Sequence, residues 1–261
     1  MKKLLFFTIT ISLAISNNLA AQNLNDYQYK QYVKGTDTLP YRILYPENFN
    51  PADKYPVLFF LHGAGERGNN NTSQLVHGGE LFLNKKIRKN FPAIVIFPQC
   101  PKDSYWSNVQ ITSNQGKRSF NFQKGGEPTK AMKLVLNLIK KVRSENYIDD
   151  DRVYAGGLSM GGMGTFELLR RKPRYFAAAF SICGGDNVAN VKKYRKVPLW
   201  VFHGAKDDVV DPSLSDRVVK ELKRLGAKDV RQTIYPNANH NSWDPAFAEP
   251  ELLPWLFSHE K

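Results

Sequence analysis

A series of apolar runs, most of them uninterrupted, limits what this chain can fold into more than any other feature. Val57 to Leu61 is stopped by His62-Gly63, and Ala93 to Gln99 by a cysteine and a proline. Further runs end at Gly157 in "RVYAGG", Gly185 in "FAAAFSICGG", Gly204 in "VPLWVFHG" and Pro236 in "VRQTIYP". A strand with one wet face alternates apolar and polar residues, whereas a continuous run marks a strand covered on both faces, as in a parallel sheet. Helical patterns lie between the runs. Leu81 to Lys89 is one, and Thr129 to Glu145 is another, with Ala131, Leu134, Val135, Leu138 and Val142 at helical spacing. Met160 to Arg171, Ser213 to Leu225 before Gly226, and a last helix near Glu249 to Phe257 complete the set. Parallel strands need crossovers, and helices supply them. The pattern predicts an open, doubly wound, mostly parallel α/β sheet. Tyr27–Val33 and Tyr41–Tyr45 read as an antiparallel entry hairpin, and no Pro/Gly-rich linker splits residues 22–261 into two domains.

In such a sheet ligands bind just past the carboxyl ends of the strands. The polar residues of this sequence gather at those positions. "GLSMG", Gly157 to Gly161, fits the G-x-S-x-G elbow and stands between a strand run and a helix run, as that motif requires. A sharp turn there lifts Ser159 clear of the sheet, beside the free N–H groups that open the next helix. A serine hydroxyl needs a base. Of the five histidines, His62 and His203 directly follow strands and read as residues that fix loop backbone. His77 precedes Gly78-Gly79 in a loop, and His259 is nearly terminal. His240 follows the last strand on a polar loop, "NANHNSW", and is the candidate base. The base needs an orienting carboxylate, and "HGAKDDVVDP" offers Asp207 or Asp208, between which spacing does not choose. Asp211 precedes Pro212 and reads as a helix cap. Oxyanion donors are expected from the N–H of Met160 and, after "FLHG", of Ala64, with Gly65 the near alternative.

The N-terminus stands apart. Lys2 and Lys3, the apolar run Leu4 to Ile15 and then Ala20-Ala21 have the form of a secretory signal peptide, residues 1–21, cut before Gln22. That run is short for a bilayer span, which takes about 20 residues, and no later segment is long and apolar enough. The formal charge is +13, of which Lys2 and Lys3 carry two. The basic residues cluster, among them Arg170, Arg171, Lys172 and Arg174, and Lys192, Lys193, Arg195 and Lys196, on separate stretches. They read as solvated surface, with attraction to acidic polysaccharide or an anionic envelope as the functional alternative. Nothing matches a nucleic-acid module.

"LFFLHGAGERG", "FPQCP", "DRVYAGGLSMGGMGTFELLRRKP", "FHGAKDDVV" and "NANHNSW" together resemble the α/β-hydrolase superfamily. The resemblance is closest to secreted esterases grouped with poly(3-hydroxybutyrate) depolymerases, feruloyl esterases and predicted peptidases. It implies the α/β-hydrolase fold and the order Ser159, Asp207, His240, and it favours Asp207 over Asp208. Asp211, where relatives often carry proline, departs from the pattern. The family's usual strand order places two strands between those ending at Cys100 and Cys183, so their ends lie about 14 Å apart. A disulfide needs Cα atoms within roughly 7 Å, so both cysteines are expected to be unpaired.

Only Gly184 to Lys196 fills the place where lipases carry a large helical lid, so an open site without a large lid is expected. Pro101 to Pro128 shows little regular pattern and follows a strand end. Its Tyr105, Trp106, Phe120 and Phe122 either wall a pocket or pin the loop to the core; Trp106 and Trp243 are the candidate substrate-binding residues. The reading is a secreted serine esterase acting through an acyl-enzyme, with no metal or organic cofactor. Feruloyl, acetyl or other short esters on polysaccharide are the expected substrates, largely by resemblance. A serine peptidase of the same fold and a non-catalytic binding protein are the alternatives. No nucleic-acid partner is expected, and oligomeric state is not legible.

Overall fold

A computed structural model describes residues 24–261. The expected signal peptide, residues 1–21, lies outside the described residues. The strands are β1 Gln28–Lys34, β2 Asp37–Leu44, β3 Tyr55–Leu61, β4 Ile94–Pro98, β5 Val109–Asn114, β6 Lys117–Phe122, β7 Ile148–Leu158, β8 Ala178–Ile182, β9 Leu199–Gly204 and β10 Val230–Tyr235. The helices are α1 Lys85–Asn90, α2 Lys130–Arg143, α3 Met160–Arg171, α4 Ser213–Arg224, α5 Trp243–Phe247 and α6 Leu252–Phe257. Eight strands form one sheet in the order β1-β2-β4-β3-β7-β8-β9-β10. β1, β2 and β4 pair antiparallel, and every pairing from β4 to β10 is parallel. This is the α/β-hydrolase fold.

The continuous apolar runs are explained by two cores, one on each face. Val57, Phe59 and Leu61 of β3 point to one side, where Leu134 and Leu138 of α2, Phe166 of α3 and Val218 of α4 cover them in a single cluster. Leu58 and Phe60 point to the other, with Phe97, Phe202, and Leu252 and Trp255 of α6. Phe59 and Phe60 are both fully buried, and truncating either to alanine costs about 3–5 kcal/mol. Thr129 caps α2, its hydroxyl accepting the Met132 N–H at 3.1 Å, a contact worth about 1 kcal/mol.

Two expectations need correction. Leu81 to Lys89 is not one helix, because the Asn84 side chain accepts the Lys86 and Ile87 N–H groups and starts α1 there, leaving Leu81–Leu83 as a 3-10 turn. The stretch 101–128 contains a regular hairpin, β5–β6, turned at Gln115-Gly116 with positive φ at both residues. The segment after β10 carries an additional short helix, α5. Between β8 and β9 the chain adds a 3-10 helix, Val188–Lys193, and no large lid is seen. No helix among the described residues is long and apolar enough to cross a membrane.

The register aligns the strand ends. Leu61 pairs with Gly157, Leu158 with Ile182, Ile182 with Phe202, and Gly204 with Tyr235. His62, Ser159, Cys183, Asp207 and the loop after Tyr235 therefore share one edge. Cys100 and Cys183 end strands separated by β3 and β7, and both thiols are free and buried.

Candidate active site

Ser159 sits at φ 52°, ψ −117°, a conformation that costs a side-chain-bearing residue about 1–3 kcal/mol. The elbow persists because the surroundings leave no other path. The Ser159 N–H donates to the Ile182 carbonyl at 2.8 Å, and its carbonyl accepts the Met163 N–H at 2.9 Å. The turn brings Gly161 against β3 so closely that a Cβ there would lie 1.8 Å from the Leu61 carbonyl oxygen. That approach is what the last glycine of the motif permits.

The Ser159 Oγ lies 2.9 Å from His240 Nε2, and His240 Nδ1 lies 2.8 Å from Asp207 Oδ2. Asp207 is buried while Asp208 is exposed, so geometry separates the two carboxylates that spacing left equivalent. An ionised carboxylate only accepts, so His240 carries its proton on Nδ1 and turns the Nε2 lone pair toward the serine hydroxyl. Asp207 is held by more than His240. Its Oδ1 accepts the Val209 and Val210 N–H groups at 2.9 Å each, and His203 Nε2 lies 3.1 Å from Oδ2. Burial pushes the Asp207 carboxyl up, but His203, His240 and the Val210 N–H outweigh it and hold the group well below the usual carboxylate range. The arrangement is able to take a proton from Ser159 and to stabilise the imidazolium that forms.

His203 does fix loop backbone, through the Val210 carbonyl at 2.9 Å and the Ser215 hydroxyl at 2.8 Å. Its contact with Asp207 was hidden in the sequence, because an i,i+4 pair running from a strand into the loop after it has no characteristic geometry. Asn239 was also missed. Its side-chain oxygen accepts the His240 N–H at 2.7 Å and the Asp208 N–H at 3.1 Å, joining the two loops. Gly204 makes that crossing possible, since a Cβ there would stand 2.3 Å from the Asn239 carbonyl oxygen.

His62 fixes the neighbouring loop. Nδ1 faces the Gly63 carbonyl at 2.6 Å, and Nε2 accepts the Cys100 N–H at 2.9 Å. Burial pulls its imidazole down to about 4, with Arg67 adding to this and the Gly63 carbonyl opposing it. His62 is thus neutral when folded but protonates in the unfolded chain below about pH 6.5. Its contribution is fully present above that pH and is lost as pH falls toward 4, by roughly 3 kcal/mol across the window. Urea unfolding of wild type and His62→Gln at pH 7, 5.5 and 4 should show their stability difference shrinking by about that amount. Buried Asp186, pushed up to about 6, acts in the opposite direction but is common to both proteins. Identical pH slopes in the two would refute the assignment.

The expected oxyanion donors each stand at the start of a helical turn. Met160 opens α3 and Ala64 opens the 3-10 turn Ala64–Glu66, so both N–H groups are among the leading amides a helix leaves without an internal partner. The Gly63 backbone abuts the elbow: a Cβ built on it would lie 3.8 Å from Ser159 Cβ.

The two tryptophans separate. Trp106 is fully buried, donates its indole N–H to the His62 carbonyl at 3.2 Å and packs edge-on to that ring. It pins the loop to the core and has no face for a substrate, which corrects the expectation. Trp243 is partly exposed, edge-on to His240 at 5.5 Å and against His77 at 5.0 Å. Phe122 is buried with Met163, Val210 and Leu214, while Tyr105, Phe120 and Val209 pack on that cluster half-exposed. The β5–β6 hairpin thereby forms an apolar wall next to the acid loop.

Among the described residues, one group of metal-ligating types converges: Cys183, Asp207 and His240 offer atoms within 4.8 Å of one another. Both Asp207 oxygens already accept two N–H groups each, and burial pushes the Cys183 thiol up, so the group is not arranged to receive a cation.

A family model described as phospholipase/carboxylesterase matches residues 49–249. A bifunctional acetylxylan esterase/xylanase from Neocallimastix patriciarum is 28% identical over 233 residues, which cover 86% of this chain and 30% of that protein. A thermostable esterase superposes with a TM-score of 0.80 at 34% identity, over 91% of this chain and 64% of the other. A ferulic acid esterase shares the fold, with a TM-score of 0.63 at 15% identity over 88% of this chain and 97% of the other. This chain therefore spans about a third of the length of the first and about two thirds of the second. It is an α/β-hydrolase, and it belongs to the phospholipase/carboxylesterase family.

Proposed function

We propose that this chain is an exported serine carboxylic-ester hydrolase that works through an acyl-enzyme on feruloyl, acetyl or other short esters of polysaccharides. One observation carries the reading: the hydrogen-bonded chain Ser159–His240–Asp207, with links of 2.9 and 2.8 Å. The Ser159 Oγ attacks the ester carbonyl carbon while His240 Nε2 takes its proton. The carbonyl oxygen becomes an oxyanion held by the Met160 and Ala64 N–H groups, each donor being worth roughly 3–4 kcal/mol. Collapse breaks the bond to the alcohol oxygen, which leaves with the proton from His240. Water, deprotonated by His240, then attacks the acyl-serine; the acid departs and Ser159 recovers its proton.

Trp243 and the half-exposed Tyr105 and Phe120 supply aromatic surface for an acyl group or its alcohol. The open edge without a large lid suits an ester carried on a bulky polymer. The acetylxylan esterase likeness supports the polysaccharide reading, and the basic head, apolar run and Ala20-Ala21 of the N-terminus support export.

The test is a paired assay of purified protein with p-nitrophenyl acetate, methyl ferulate, acetylated xylan and chromogenic peptides, together with fluorophosphonate labelling. Ester turnover with labelling at Ser159 is the expected result. Peptide cleavage without ester turnover, or an unlabelled Ser159, would overturn the proposal.

A further inference from the structure

The basic groups that look scattered in the sequence meet in space. Arg174 lies in the 3-10 turn after α3, and Lys192, Lys193, Arg195 and Lys196 lie in and after the 3-10 turn before β9. All five line one cavity of about 690 Å³. Lys193 also lines an adjoining cavity of about 390 Å³ that holds Lys172 at its rim. The two cavities share Lys193, and all six cations are exposed. Among the described residues none of them has a carboxylate within 4 Å, whereas Arg170 and Arg171 nearby are tied to Glu167 and Lys261 to Asp150. Residues 1–23 contain no Asp or Glu that would pair with them. Glu260 is the one acidic side chain lining the larger cavity.

Concentrating so many unpaired cations in a concavity raises the local potential and favours an anionic ligand. The shape narrows its nature. The aromatic rings there, Phe176 and Tyr194, are buried at 3% and 1% exposure, so no ring is offered for bases to stack on, as single-stranded nucleic acid requires. The cations line a recess rather than a flat face with protruding apolar residues, as binding in a lipid interface requires. A flexible chain carrying repeated carboxylates fits a concavity lined by several cations. We propose that this cleft binds acidic polysaccharide, through the carboxylates of uronic acid units.

Its position gives the role. Ala177 and Pro198, which line the cavity, immediately precede β8 and β9. The Ser159 site is at the other end of the same strands, about 16 Å away along five residues. The cleft is an anchor that holds the enzyme on a polymer, not a subsite for the reacting ester. The link to catalysis rests on the ester hydrolase reading; the binding itself does not.

Affinity electrophoresis and calorimetry with polygalacturonate, with neutral xylan and anionic phospholipid vesicles as comparators, test it on the whole protein. Wild type should bind polygalacturonate, more weakly as salt rises, and should bind the comparators far less. The variant Lys192→Gln, Lys193→Gln, Arg195→Gln, Lys196→Gln should bind about tenfold or more weakly, with its p-nitrophenyl acetate kcat/KM unchanged. Ser159→Ala should bind as wild type does, which separates failure of the cleft from failure of the catalytic reading. Polygalacturonate binding equal in wild type and the quadruple variant, equal binding of xylan, or binding of vesicles alone would each overturn the proposal.

Discussion

Replacing Ser159 by alanine should remove nearly all of the proposed ester turnover, lowering kcat by a factor on the order of 10⁵–10⁶. In the proposed mechanism the loss is this large because the hydroxyl is the group that becomes bonded to the acyl carbon; His240 and the N–H donors then have no other nucleophile to assist. The substitution should leave the fold untouched. Ser159 has no side-chain capping bond to α3, and alanine keeps the same Cβ in the same left-handed conformation. Steady-state kinetics with p-nitrophenyl acetate, alongside thermal unfolding, check both halves. Turnover within tenfold of wild type in a folded Ser159→Ala protein would remove the serine from the mechanism.

The second large effect separates two adjacent acids. Asp207→Asn should lower kcat by about 10⁴, whereas Asp208→Asn should change it less than threefold. The asparagine oxygen can retain the Val209 and Val210 N–H groups, which accounts for both backbone contacts of Oδ1. Its NH₂ then faces the His240 imidazole, which needs an acceptor there, so His240 loses the bond that places its proton on Nδ1. Asp208 is exposed, and it is its backbone N–H that takes part, through Asn239. Measuring kcat against pH for both variants distinguishes a lost relay from a damaged loop. A crippled Asp208→Asn beside a tolerated Asp207→Asn would reverse the assignment.

The central sheet was legible because strands covered on both faces must be apolar at consecutive positions; Leu58, Phe59 and Phe60 leave no other use for such a run. The candidate site was legible from the elbow motif around Ser159 and from His240 on a polar loop after the last strand. What escaped is decided by single competing contacts. Asn84 splits a plausible helix by capping α1 from within. The β5–β6 hairpin has its outer face exposed, so its apolar signal is diluted by polar residues such as Gln110, Thr112 and Ser119. Trp106 differs from Trp243 in burial and in the groups that surround it, and composition carries no trace of that. The gathering of Arg174 with Lys192–Lys196 depends on β8 and β9 being neighbours, which no local pattern states.

Asn239 has a consequence for how this site fails. Because one carboxamide stitches the loop bearing the acid to the loop bearing the base, thermal loosening of either drags the other with it. Inactivation on heating should then arrive as one step, with amide exchange at Asp208 and His240 accelerating together rather than in sequence.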